Sequence, residues 1–138
     1  MIQKTASHVI CVTNNPDWGP GRDGFEYVDG GPWGVFKRAR DLVHGGWRFL
    51  AHPLYGNFNP MRHPYRTLLL ESPSGGDRSV DMESFSMLEA ALESCRAGMA
   101  KNYGGESGEA ARRDFAKLDC ELMRDALNRY CLWAPVIS

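Results

Sequence analysis

The chain has four cysteines, Cys11, Cys95, Cys120 and Cys131, and no two of them form a CxxC pair. That excludes a thioredoxin-type redox motif and a zinc knuckle. No apolar run approaches the ~18 residues of a membrane span. The opening MIQKTASHVICV lacks an apolar stretch of signal-peptide length. There is no long Lys/Arg run, and 16 basic residues against 17 acidic ones leave a net charge of -1. Gripping a phosphate backbone is therefore not the expected main task, and no nucleic-acid partner is expected. No P-loop, GxSxG or GxGxxG follows a strand-like run, and Gly19, Gly21 and Gly24 precede a strand instead of linking strand to helix. Internal repeats and low-complexity tails are absent as well. These absences lead us to expect a cytoplasmic protein with reduced, mostly buried thiols and neither cofactor nor metal.

What is present fits one domain over residues 1–138, with 43% apolar residues to supply a core. His8 to Thr13 (HVICVT) reads as a buried strand stopped by Asn14-Asn15-Pro16. Residues 16–24 read as loop, and Phe25 to Val28 alternates like a short strand. Pro32 suits a first helical position. From there Val35, Phe36, Ala39, Leu42 and Val43 form one apolar stripe that Gly45-Gly46 should end. Trp47 to Ala51 reads as a strand, so the strand–helix–strand order predicts a parallel pairing across a right-handed crossover. Arg66 to Glu71 (RTLLLE) reads as a strand buried on both faces. Two long helices follow, over about 81–101 and 109–133, from apolar residues recurring at three and four positions. The fold class expected is α/β: a small sheet of about four strands, partly parallel, covered by three helices. HVICVT and WRFLA should run parallel within it.

The stretch from Arg40 to Thr67 carries most of the chemistry. Its loop, residues 52–65, exceeds the ~12 residues at which a loop inside a compact domain usually has a task. Pro53, Pro60 and Pro64 stiffen it. Asn14 and Asn15 end the first strand, where ligands collect in open sheets, although Asn and Pro also make plain turns. His52 ends the third strand and reads either as an acid or base near neutral pH or as a histidine bonded to loop backbone. His63, Tyr65, Tyr55 and Asn57, with Arg62 and Arg66, either line a polar pocket for a small carboxylate or phosphate or form a self-packed loop. Arg40 or Arg66 would attract the anion. His44 lies in a last helical turn and complements the helix dipole. His44, His52 and His63 match no zinc spacing, so no metal is expected. Asp119 lies mid-helix in KLDCEL and reads as an orienting carboxylate, a cap, or an exposed charge.

Taken together, TNNP at Thr13–Pro16, RDLVHGG at Arg40–Gly46, HPLYGNFNPMRHPY at His52–Tyr65 and the helical Asp119 resemble the GrdX family. The resemblance covers most of the chain in element order and is most specific from 40 to 67. Trp47 stands where that family has a second histidine or similar polar residue. Tyr55, Asn57, Phe58 and Asn59 replace smaller or more basic residues. The family is named from genes beside glycine, sarcosine and betaine reductase components. The resemblance implies a cytoplasmic accessory protein, not a catalytic subunit. It would bind a small polar or anionic metabolite, or a reductase component, at the edge formed by residues 13–16 and 52–66. The alternative is a small hydrolase or transferase using His52 as general base, oriented by Asp119 or Asn15. A homodimer on the two C-terminal helices and the apolar tail from Leu132 to Ile137 is expected, against a tail that folds back over a monomer.

Overall fold

The computed structural model describes residues 8–19, 21–56, 60–73, 75–101 and 108–130. It holds strands β1 (Val9–Thr13), β2 (Phe25–Tyr27), β3 (Arg48–Phe49) and β4 (Thr67–Glu71), and helices α1 (Pro32–His44), α2 (Met82–Ala100) and α3 (Glu109–Arg129). Short 3-10 turns occupy Pro16–Trp18 and Pro60–Arg62. The strands form one mixed sheet in the order β2-β1-β4-β3. The α/β class, the four strands and the three helices are thus as the sequence implies.

The strands alternate as a two-residue period demands. Ile10, Val12, Leu68 and Leu70 face one core with α1 and α2, where Val35, Phe36, Leu88 and Leu92 are buried. Val9, Cys11 and Leu69 face a second core with Trp18 and the α3 residues Cys120, Met123 and Leu127. The Leu68-Leu69-Leu70 run is therefore apolar on both faces because β4 is an interior strand.

The pairing differs from the expected strand–helix–strand unit in one respect. β2 and β3, which flank α1, are not neighbours but opposite edges of the sheet, with β1 and β4 between them. β1 pairs in parallel with β2, and β4 runs antiparallel to both β1 and β3. HVICVT and WRFLA accordingly share the sheet and run the same way without touching. The reason is burial: a two-residue β3 with an exposed Arg48 suits an edge, and β4, buried from Thr67 to Leu70 around three leucines, does not. At that edge Arg48 makes an ion pair with Glu71.

The helix ends follow local chemistry. α1 starts at Pro32 after Gly31 and closes with the Gly45 N–H bonded to the carbonyls of Asp41 and Leu42. Gly46, not Gly45, takes the positive φ, at 98°. A Cβ there would lie 2.9 Å from Arg78 Cα, so the glycine also admits the strap that precedes α2. Asp81 caps α2 by accepting from the Ser84 N–H at 3.0 Å. The end of the second predicted helix at Trp133, Cys131 and the apolar tail at 132–138 lie outside the described residues.

Candidate functional site

β1 ends at Thr13, and the next two side chains turn in opposite directions. Asn14 reaches the loops at the sheet's edge. Its amide donates to the carbonyls of Gly30 at 2.8 Å and Pro64 at 2.7 Å, and its oxygen accepts from the Arg66 N–H at 2.8 Å. Asn15 reaches α3: its amide donates to Asp119 at 3.0 Å and to the Ala116 carbonyl at 3.0 Å. Its oxygen accepts from the Asp17 N–H and so caps the Pro16–Trp18 turn. Both asparagines are buried. Each satisfies loop backbone that would otherwise be buried without a partner.

Asp119 is fully buried, and three donors from three parts of the chain converge on it. One oxygen takes Asn15 and the Thr67 hydroxyl, the latter at 2.6 Å, and the other takes the Tyr55 hydroxyl. Thr67 also accepts from the Trp18 indole N–H at 3.1 Å and lies 2.8 Å from the Thr13 hydroxyl, its register partner across β1 and β4. The Tyr55 hydroxyl accepts the Thr67 N–H at 2.7 Å. Its pKa is pushed well above the ordinary 10.0, first by burial and then by the Asp119 charge.

The Arg66 side chain is fully buried on the other side of Tyr55. Its guanidinium donates to the carbonyls of Pro53 at 3.1 Å and Tyr55 at 2.8 Å, so the end of the long loop holds its beginning. The same guanidinium lies 4.0 Å over the Tyr55 ring and 6.0 Å from that of Phe36. A buried cation and a buried anion are thus joined through one tyrosine, whose ring meets the first and whose hydroxyl meets the second.

Of the histidines, His63 is buried and packs on Phe115 of α3 with ring centres 4.7 Å apart. Its Nδ1 accepts the Tyr65 N–H at 3.2 Å. Burial lowers its pKa, and Arg66 adds to that while Asp119 and the Tyr65 backbone oppose it. His52 is exposed, and its Nδ1 accepts the Leu54 N–H at 3.0 Å. His44 stacks on Phe85 at the far end of α1. Among the described residues no three His, Cys, Asp or Glu side chains gather as metal ligands, and no helix is long and apolar enough to cross a membrane.

The residues singled out in the sequence therefore divide. Asn14, Asn15, Tyr55, His63, Arg66 and Asp119 belong to one connected region. Tyr65 is half-buried at its rim, beside Tyr27, whose phenol is pushed up by burial, by Asp29 and by Tyr65 itself. Arg62 is exposed at the end of its 3-10 turn, Arg40 is half-buried on α1, and Asn57 lies outside the described residues. Asp119 does not orient His52: its oxygens are occupied by Tyr55, Thr67 and Asn15, and the His52 ring turns to solvent. Sequence reasoning assigns no role to the hydroxyls of Thr13 and Thr67 or to Trp18, although Thr13 opens the TNNP corner. Their one signal was Thr at two strand ends, which speaks only once β1 and β4 are known to pair antiparallel in that register.

This arrangement leaves the buried carboxylate saturated with donors and fixes the loop over the ends of β1 and β4. No curated protein matches the chain, and no solved structure matches it. The sequence profile of the family described as GrdX-like protein matches residues 10–128, a span that takes in β1, the whole of loop 52–66 and α3 as far as Asn128. The chain therefore belongs to the GrdX-like protein family.

Proposed function

We propose that this protein is a non-catalytic accessory of glycine- or betaine-reductase systems in the cytoplasm. It binds a small polar or anionic metabolite at the edge formed by residues 13–16 and 52–66. The observation that carries this reading is the rigid mounting of the loop. Its inward groups are tied to Asn14, Arg66 and Asp119, while His52, Arg62 and Tyr65 reach the surface or its rim. A preformed frame lowers the ordering cost of capturing a small ligand. The hydrolase reading would require a held general base. His52 instead makes its bond to the backbone of its own loop.

Isothermal titration calorimetry with glycine, sarcosine, betaine and inorganic phosphate tests this directly. Saturable heat from at least one, lost in His52→Ala with the melting temperature kept within a few degrees, is the expected result. Silence from all four in the unaltered chain would remove the small-metabolite reading and leave the reductase component as partner. Turnover of an ester or acyl donor abolished by His52→Ala would overturn the non-catalytic role. The homodimer belongs to the same proposal, supported by exposed Leu118 (43%) and Leu122 (39%) on α3. Light scattering at micromolar concentration should give twice the 15.4 kDa chain mass, and a monomer mass would exclude it.

A further inference from the structure

The loop begins and ends with the same local device. In His52-Pro53-Leu54 and in His63-Pro64-Tyr65, the histidine Nδ1 accepts the N–H two residues on, at 3.0 and 3.2 Å. A ring nitrogen that accepts carries no proton, so the neutral imidazole holds its hydrogen on Nε2. The second proton, which makes the imidazolium, must then go to Nδ1. That turns the acceptor into a donor and sets it against another N–H.

At the surface such a turn opens at little cost, because water replaces both partners. His63 is only 2% exposed and lies against Phe115, so its ring has no such exchange available in place. Among the described residues, Asp119 from α3 and Arg66, just before β4, act on it with their charges. Burial, the largest influence, and the guanidinium oppose the imidazolium, while the carboxylate and, more weakly, the Tyr65 backbone favour it. It is therefore the acceptor role of Nδ1, and not the direction of the titration, that makes the turn sensitive to a proton. Either side of Tyr65, Asn14 holds the Pro64 carbonyl and the Arg66 N–H. Those two bonds confine any opening to the Tyr65 end of the loop before the sheet is disturbed.

We infer that the His63-Pro64-Tyr65 turn is an acid-sensitive latch: a solvent proton bound at His63 Nδ1 breaks the bond to Tyr65 and releases that end of loop 52–66. The exposed His52 turn is its built-in comparison, with the same bond on an exposed residue. The latch rests on hydrogen-bond geometry and stands whether or not a metabolite occupies the loop's edge.

The test uses the full chain, unaltered and as His63→Asn, followed by long-range proton–nitrogen NMR of the imidazoles and by amide exchange corrected for intrinsic rates. Asparagine presents an oxygen where Nδ1 stood, makes the same turn to the residue two on, and does not titrate. In the unaltered chain, protonation of His63 Nδ1 should coincide with a loss of Tyr65 amide protection of about tenfold, with the Leu69 amide unchanged. In His63→Asn the Tyr65 protection should stay level over the same pH range. The latch is overturned if Nδ1 protonates while Tyr65 stays protected, if the asparagine chain loses protection at the same pH, or if Nδ1 stays bare until the whole chain unfolds. Should His63→Asn fail to fold for want of contact with Phe115, the titration of the unaltered chain decides alone.

Discussion

Asn15 and Asp119 are 104 residues apart in the chain and 3.0 Å apart in the fold. Through that contact the corner after β1 grips the middle of α3, which otherwise rests on a small apolar cluster. The helix is thus fastened by a carboxylate as much as by grease.

Replacing that carboxylate should be costly. Asp119→Ala strands the hydroxyl of Tyr55 and the amide of Asn15 and removes the acceptor of the Thr67 hydroxyl. We expect a loss of about 3–5 kcal/mol in urea denaturation, from several buried groups at about 1–3 kcal/mol each. Asp119→Asn keeps an acceptor oxygen and should lose about half of that. A loss below about 0.5 kcal/mol for the alanine variant would show that the network is not structural.

Tyr55 separates two contributions in one residue. Tyr55→Phe keeps the ring under Arg66 but removes a donor to Asp119 and an acceptor for the Thr67 N–H. The expected cost is about 1.5–3 kcal/mol. Tyr55→Ala also removes the ring from both cores, and should cost about 3–5 kcal/mol. Equal midpoints for the two variants would place all the stabilisation in the hydroxyl.

The stability profile against pH has an acid limb, to which His63 contributes, and an alkaline limb, to which Tyr55 contributes together with the buried thiols of Cys11, Cys95 and Cys120, all raised by burial. His63 is harder to protonate folded than its ordinary 6.5, so the unfolded chain binds the proton first. Its contribution is complete above 6.5 and falls as pH drops below that, until folded His63 itself protonates. Tyr55 behaves in the reverse sense, because the folded chain keeps its proton well above 10.0. Stability should fall as pH rises through 10.0, where the unfolded phenol ionises. Melting temperatures across the range should show both slopes, with the acid one reduced in His63→Asn and the alkaline one in Tyr55→Phe.

The paired glycines after α1 should differ. Gly46→Ala meets a φ of 98° and a contact of 2.9 Å with the Arg78 backbone, and should cost about 1–3 kcal/mol. Gly45→Ala sits at φ -90° with its nearest atom at 3.4 Å and should be close to neutral. Thermal unfolding of the two single variants settles the ranking.

These contrasts also show where sequence reasoning stops. The helices were legible to within about two residues at α1 and α2, because an apolar stripe with Pro at one end and Gly at the other is local information. The burial of β4 on both faces followed from three successive leucines. Which strands would be neighbours did not, since β2 and β3 look alike as short runs and only the burial of β4 separates them. At the site, Asn14, Asn15, Arg66 and Asp119 stood out by type and position. The direction of each side chain did not. His52 and His63 both precede proline and both accept the N–H two residues on, yet one faces water and the other Phe115.

The Tyr55 ring touches the apolar clusters on both faces of the sheet. A loop residue with a foot in each compartment denies either one an independent melting event. Stripping α3 away must pull on Tyr55, and through it on Arg66 and the α1 side. The domain should unfold as one cooperative block, with calorimetric and van't Hoff enthalpies in agreement, and substituting Tyr55 should be the change that lets the two faces come apart in sequence.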